Sequence, residues 1–213
     1  LKQYKENEIY HNVIESMKEY ILNNIDINEI DYISGGERRD WFFSNIIAYL
    51  LNKPHITIYK DLSTVTSDST FENTNKSTNI ENKKVLHIAD LITVASSYVR
   101  AWIPAISELG GKICWSCVVV DRMQGGKDVL EKEGVQSFSL VQVDNTLFKT
   151  AFEHGIINEN QLKMLEQFFK NPDETMRNFL INHPEFLENA LHSDEKTAKR
   201  AKLLVDGNLY NLK

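Results

Sequence analysis

Apolar positions along the first two thirds of the chain follow two rhythms in alternation. Ile9, Val13, Ile14, Met17 and Ile21 recur at helical spacing and predict an amphipathic helix over 8–25. The run Ile30 to Ile33 predicts a short strand, ended by Ser34, Gly35 and Gly36. WFFSNIIAYLL (41–51) is apolar nearly all round and predicts a buried helix, stopped by Asn52-Lys53-Pro54. HITIYK (55–60) predicts a second strand. The Ser/Thr/Asn-rich stretch 62–81 has no period and predicts a mobile loop or a surface insertion. KKVLHIAD (83–90) predicts a third strand. Val99, Trp102, Ile103, Ile106 and Leu109 then form one helical stripe, closed by Gly110-Gly111. ICWSCVVVD (113–121) predicts a fourth strand, 126–133 a short helix ended by Gly134, and the alternation over 135–143 a fifth strand.

Strands alternating with helices imply an α/β fold, here a mostly parallel five-stranded sheet flanked by helices. Ligands of such sheets bind beyond the carboxyl ends of the strands. The polar clusters SGGERRD, YKD, ADLITVASS and DRMQGG all fall at such ends. From residue 146 onward the pattern is helical throughout, with breaks at Gly, Asn-Pro, His-Pro and Ser-Asp. The expected organisation is an α/β domain over 1–145 and a helical appendage over 146–213.

Composition narrows the function. The chain has 213 residues and a net charge of −6, which argues against a broad basic surface for nucleic acid. No run of about 18 apolar residues occurs, so no membrane span is expected, and no signal peptide is visible. The first residue is Leu1, so residues upstream are expected to be missing from a processed or truncated chain. Cys114 and Cys117 are spaced C-x-x-C, but on a strand positions i and i+3 face opposite sides, which favours a structural role over redox or zinc chemistry. A reducing, cytoplasmic setting is expected.

The chemistry concentrates in VLHIADLITVASSYV. A strand, an acidic tip at Asp90, a hydroxyl-rich turn and a helix start together make an anion cradle: backbone N–H groups converge, and the helix contributes its positive end. The plainer reading is a serine N-cap after a buried strand. Two arginines beside a glycine turn in SGGERRD also favour an anion, whereas Asp40 suits a helix cap and the arginines a solvated surface.

These residues resemble the type I phosphoribosyltransferases. Their motif for 5-phosphoribosyl-1-diphosphate (PRPP) is four apolar residues, two acids, two apolar residues and a Thr/Gly/Ser loop, and 85–97 match it in place. The resemblance implies that Asp90 holds the ribose and that Thr93, Val94, Ala95, Ser96 and Ser97 hold the 5′-phosphate. This chain departs at the first acid, which is Ala89, and in the loop glycines, where Ala95 and Ser96 stand. VVVDRMQGGKDVLEKEGV (118–135) is similar to the orotate phosphoribosyltransferase pattern and implies that Arg122 contacts the base. A surface ion pair of Arg122 with Asp121 or Glu131 is the rival reading.

By the same resemblance Gly35, Gly36, Glu37, Arg38 and Arg39 form a pyrophosphate loop and Lys60 a catalytic cation. The stretch 63–80 takes the place of the family's basic mobile loop, with Lys76 its only lysine and no histidine. The implied reaction transfers the 5-phosphoribosyl group from PRPP to orotate. Mg²⁺ is carried by PRPP rather than by a protein cage, and the family implies a homodimer. The alternative is a module of the same fold that binds PRPP or a nucleotide in a regulatory role without transfer.

Overall fold

The computed structural model describes residues 1–76 and 78–212. Ser77, within the stretch predicted as a mobile loop, and Lys213 lie outside the described residues. The chain divides into two compact units, Leu1–Val143 and Asp144–Lys213.

The first unit opens with helices α1 (Lys2–Glu6) and α2 (Glu8–Asn24). Strand β1 (Tyr32–Gly36), helix α3 (Trp41–Leu50), strand β2 (His55–Ile58) and the short strands β3 (Thr64–Ser67) and β4 (Thr74–Asn75) follow. Next come β5 (Lys84–Ile92), a π-turn over Tyr98–Trp102 leading into α4 (Ile103–Glu108), β6 (Lys112–Asp121), α5 (Gly126–Lys132) and β7 (Gln136–Gln142). Among the described residues the sheet order is β4-β3-β2-β1-β5-β6-β7. The five strands expected from the pattern are mutually parallel. Two antiparallel strands not foreseen, β3 and β4, extend the sheet beyond β2. Part of the stretch predicted as a structureless loop is therefore a β-hairpin.

One face of the sheet packs Ile14, Met17 and Ile21 of α2 and Ile46, Ile47 and Ala48 of α3 against Ile33, Leu86, Ile88 and Cys117. The other packs Tyr98, Trp102, Ala105 and Ile106 and Leu130 of α5 against Ile58, Val85, Ala89 and Val118. Three expectations shift. Phe42 and Tyr49 are exposed on α3, so that helix is covered on one side only. Ile9 is exposed, and α2 buries the stripe Ile14, Met17 and Ile21 instead. The π-turn widens the spacing at the start of the next helical run, so Tyr98 is buried where Val99 was expected.

Gly35 and Gly36 do not adopt the unusual angles expected of a turn; both lie within β1. Their reason is room. A Cβ on Gly35 would sit 2.1 Å from Ser44 Oγ, and one on Gly36 would sit 2.3 Å from the Trp102 ring. Successive strand residues face opposite sides, so the pair lets a helix approach β1 from each face. Cys114 and Cys117 are free thiols. Burial pushes the Cys117 thiol up to about 12, which suits a packing role.

Two buried histidines lie in this core. His55 Nε2 pairs with Ser44 Oγ at 2.9 Å, and His87 Nδ1 with Ser34 Oγ at 2.9 Å. Burial, aided by His87, lowers the His55 pKa to about 3. The unfolded chain therefore takes up a proton near the ordinary histidine pKa of about 6.5, while the folded chain does not. Stability is full above that value and falls as pH drops through the window down to about 3, by at most about 1.4 kcal/mol per pH unit from this group. Urea unfolding across pH 7 to 4 should show this loss, with a shallower slope for His55→Gln. Equal slopes for the two chains would remove His55 as the cause.

The second unit is helical: α6 (Asn145–Glu153), α7 (Glu159–Lys170), α8 (Pro172–Asn182), α9 (Pro184–Leu191) and α10 (Glu195–Asp206). Of the breaks read in the sequence, Asn-Pro and Ser-Asp act as caps: Asn171 and Asp194 accept from first-turn N–H groups, whereas His183 before Pro184 makes no side-chain cap. Two caps were not foreseen: Asp144 accepts from Leu147 N, and Asn158 with Gln161 forms a capping box. Among the described residues no helix is long and apolar enough to cross a membrane.

Candidate functional site

Chain connectivity reverses between β1 and β5: β2 lies on one side of β1, and β5, β6 and β7 follow on the other. A cavity of about 200 Å³ opens at the carboxyl ends of these two strands. It is a switch-point crevice, where the loops leaving two adjacent strands part in opposite directions.

Residues from three segments line it. Glu37, Arg38, Arg39 and Asp40 come from the turn after β1, and Asp90, Thr93, Val94, Ala95, Ser96 and Ser97 from the end of β5 and its loop; Tyr98 and Trp102 form the wall. The Glu37–Arg38 peptide is cis. Ala95 has φ +54°, in the left-handed region that favours glycine. Its carbonyl accepts from Val99 N, and the helical run 96–108 begins at once. Among the described residues the N–H groups of Val94, Ala95, Ser96 and Ser97 have no acceptor within the chain. Four free donors at the start of a helical run are the physical content of an anion cradle.

Charge is arranged around that cradle. Arg39 Nε lies 3.0 Å from Asp90 Oδ2. Burial and the neighbouring Asp40 carboxylate raise the Asp90 pKa, while Leu91 N and Arg39 oppose the rise. Asp40 was read as a helix cap. Instead its Oδ2 accepts from Gly36 N at 3.2 Å and its Oδ1 from Asp90 N at 3.0 Å, joining the two strand ends.

The other expected residues sit nearby but outside this cavity. Lys60 lines an adjoining groove with Tyr59, Asp61 and Lys76, and that groove shares Glu37 with the cavity. Lys60 N donates to Glu37 Oε2 at 3.0 Å. Gly35 and Gly36 shape the floor from β1 without lining the cavity. Arg122 is exposed and follows β6; its N–H donates to Ile92 O at 2.9 Å. Among the described residues its side chain makes no ion pair, so the rival pairing with Asp121 or Glu131 does not form. Asp121 instead accepts from Met123 N at 2.8 Å. Gly125 adopts φ +86°, and a Cβ on Gly126 would sit 2.7 Å from Thr93 O, which accepts from Gly126 N at 3.0 Å.

Sequence reasoning missed Tyr98 and Trp102 as walls, His87 behind them and the bridging role of Asp40. Aromatic residues at helical spacing read as core, and here they are core on one side and cavity on the other. Among the described residues no three His, Cys, Asp or Glu side chains converge as a metal cage.

Comparison with known proteins bears on the fold. No family model matches the chain. It is 26% identical over 126 residues to the orotate phosphoribosyltransferase of Sulfolobus acidocaldarius, over 59% of this chain and 60% of that protein. The chain thus matches less than two thirds of that relative's length. Among solved structures it superposes on the Leishmania donovani UMP synthase with a TM-score of 0.60 at 19% identity, covering 78% of this chain and 34% of that one. The Francisella tularensis orotate phosphoribosyltransferase gives 0.57 at 15% identity, with 76% and 78% covered.

Proposed function

We propose, on the premise that this chain carries the type I phosphoribosyltransferase fold and is related in sequence to orotate phosphoribosyltransferases, that its switch-point cavity binds PRPP with Mg²⁺ and that the chain transfers the 5-phosphoribosyl group to orotate. One observation carries the reading. The free N–H groups of 94–97, the guanidinium groups of Arg38 and Arg39 and the carboxylate of Asp90 surround one cavity.

The residues divide the work by chemistry. The cradle 93–97 takes the 5′-phosphate through oriented N–H donors and the Thr93, Ser96 and Ser97 hydroxyls. Asp90 accepts from ribose hydroxyls and faces the Mg²⁺ that PRPP carries. Arg38 and Arg39 meet the diphosphate, Arg39 exchanging its pairing with Asp90 for phosphate oxygens. Lys60, across Glu37, adds charge where pyrophosphate leaves. Displacement at the anomeric carbon then proceeds with oxocarbenium character, the protein supplying fixed charge and excluded water.

Arg122 stands past β6 with an unpaired guanidinium, which fits the carboxylate of orotate through two parallel hydrogen bonds. Arg122→Ala should raise the KM for orotate about tenfold or more and leave PRPP affinity within about twofold, the loss of a charged hydrogen bond costing about 1.5–3 kcal/mol. Equal losses for both substrates would make Arg122 structural.

A second reading has its own observation. The segment in the place of a mobile basic loop forms the β3–β4 hairpin, with Lys76 as its lysine and no histidine. That favours a module that binds PRPP or a nucleotide in a regulatory role. Calorimetric titration with PRPP and Mg²⁺, paired with a spectrophotometric assay of orotate consumption, separates the two. Binding with turnover supports the transferase, and binding without turnover the regulatory module. Absence of binding to PRPP and to nucleoside monophosphates would sink both.

A further inference from the structure

The Asp40 carboxylate is an unusual group to find at the back of an anion site. It is 8% exposed, and it lies beside a second carboxylate, Asp90, whose pKa it helps to raise. An acid so placed repels a diphosphate, so its presence there calls for another role. Its contacts show that role. Gly36 N, at the end of β1, and Asp90 N, at the end of β5, donate to its two oxygens. One side chain therefore fixes the spacing between the arginine turn and the strand that feeds the phosphate loop. Along β5 the position before Asp90 is Ala89, so the acid flanking Asp90 comes from across the sheet rather than along the strand.

A second buried group points at the same place. The His87 ring is fully buried, edge-on to Tyr98 and stacked on Trp102, the two wall residues of the cavity. Its Nδ1 is paired with Ser34, whereas its Nε2 has no hydrogen-bond partner and lies 3.8 Å from Asp40 Oδ2. If Ser34 donates to Nδ1, Nε2 carries the hydrogen and directs it at the carboxylate. The opposite tautomer would set a lone pair against an anion inside the protein, which is costly. The separation is beyond hydrogen-bond range, and a shift of the β1 turn by less than about 1 Å would be enough to complete the contact.

We propose that Asp40 is a positioning residue of the PRPP site and that His87 is its buried partner, the two holding the arginine turn and the phosphate loop in register as the cavity closes on its ligand. This rests on the reading of the cavity as a PRPP site. Other charged or titratable groups around the pair include Asp90 from β5, Arg39 from the same turn, Tyr98 from the π-turn and His55 from β2.

The test is calorimetry of PRPP with Mg²⁺ on the full chain, with thermal unfolding run alongside. Asp40→Asn keeps the shape, but only one of its two positions still accepts an N–H. It should weaken PRPP binding about tenfold, equivalent to about 1.4 kcal/mol. His87→Phe should weaken it comparably, and His87→Gln, whose amide can donate to Asp40, should restore most of the loss. The Asp40→Asn/His87→Phe double variant should lose no more than the worse single variant, because the two act as one unit. Binding within twofold of wild type for both single variants overturns the proposal, as does failure of His87→Gln to outperform His87→Phe in variants of equal thermal stability. If Asp40→Asn fails to fold, the two His87 variants still decide. Failure of the wild-type chain itself to bind PRPP overturns the PRPP reading and this inference with it.

Discussion

Ser96→Asp should cut PRPP affinity by about a hundredfold or more while leaving the thermal midpoint unchanged or slightly raised. Ser96 is exposed and begins the helical run, and its N–H is one of four that have no acceptor among the described residues. A carboxylate in the first turn of a helix is favourable by about 0.3–1 kcal/mol, so the fold has no reason to suffer. The same carboxylate would occupy the cradle proposed to receive the 5′-phosphate. Two unit charges at about 4 Å and an effective dielectric constant of about 20 repel by about 4 kcal/mol, and a phosphate dianion carries more than one. Calorimetry and differential scanning fluorimetry on the same sample read the two halves of the prediction. An unchanged affinity would mean that the loop at 93–97 does not hold phosphate. A fall in stability parallel to the fall in affinity would mean that Ser96 is structural.

The second large effect falls on the fold. Gly35→Ala should destabilise the chain by about 3 kcal/mol or more. The added methyl would lie 2.1 Å from Ser44 Oγ and 2.7 Å from Ser44 Cβ. Ser44 has no free rotamer to retreat into, because it is buried and its hydroxyl is paired with His55 Nε2. Relief by rotation would strand an imidazole that burial already keeps neutral. Overpacking of about 1–3 kcal/mol therefore adds to an unsatisfied buried group worth about 1–3 kcal/mol. Urea unfolding of Gly35→Ala and of Gly35→Ala/Ser44→Gly tests the cause, since the double variant removes the clash but not the orphaned histidine. It should recover part of the loss. Recovery of none would place the strain elsewhere in β1.

The parallel strands were legible because burial on both faces demands the unbroken apolar runs seen at VLHIA and VVV. The helices of the second unit were legible in part because Asn171 and Asp194 are capping residues in capping positions. The β3–β4 hairpin was not. Its strands are short, lie at an edge and are built from Thr, Ser and Asn, whose side chains are as much at home in a loop. The candidate site was legible in part. The hydroxyl loop points to an anion by residue type, and Arg38 and Arg39 by their charge. Asp40 and His87 gave no such signal, since a carboxylate before a helix reads as a cap and a histidine within a strand reads as core. Their roles depend on the distance between β1 and β5, which adjacency in the sheet sets and no local pattern encodes.

Under the proposed transferase reading, the Gly125-Gly126 pair bears on how the preference for an acceptor would change. In sequence it looks like part of a base-recognition signature. In the fold Gly126 is dictated by the backbone of the phosphate loop, whose Thr93 carbonyl it both touches and donates to, and Gly125 by a left-handed turn. Asp121 is likewise taken up by the backbone of Met123. Those positions are architectural and would be shared by descendants with quite different acceptors. Arg122, Met123 and Gln124 are left to vary between fixed neighbours. A lineage could drift from one acceptor to another through one or two exposed side chains, with the phosphate end of the site untouched.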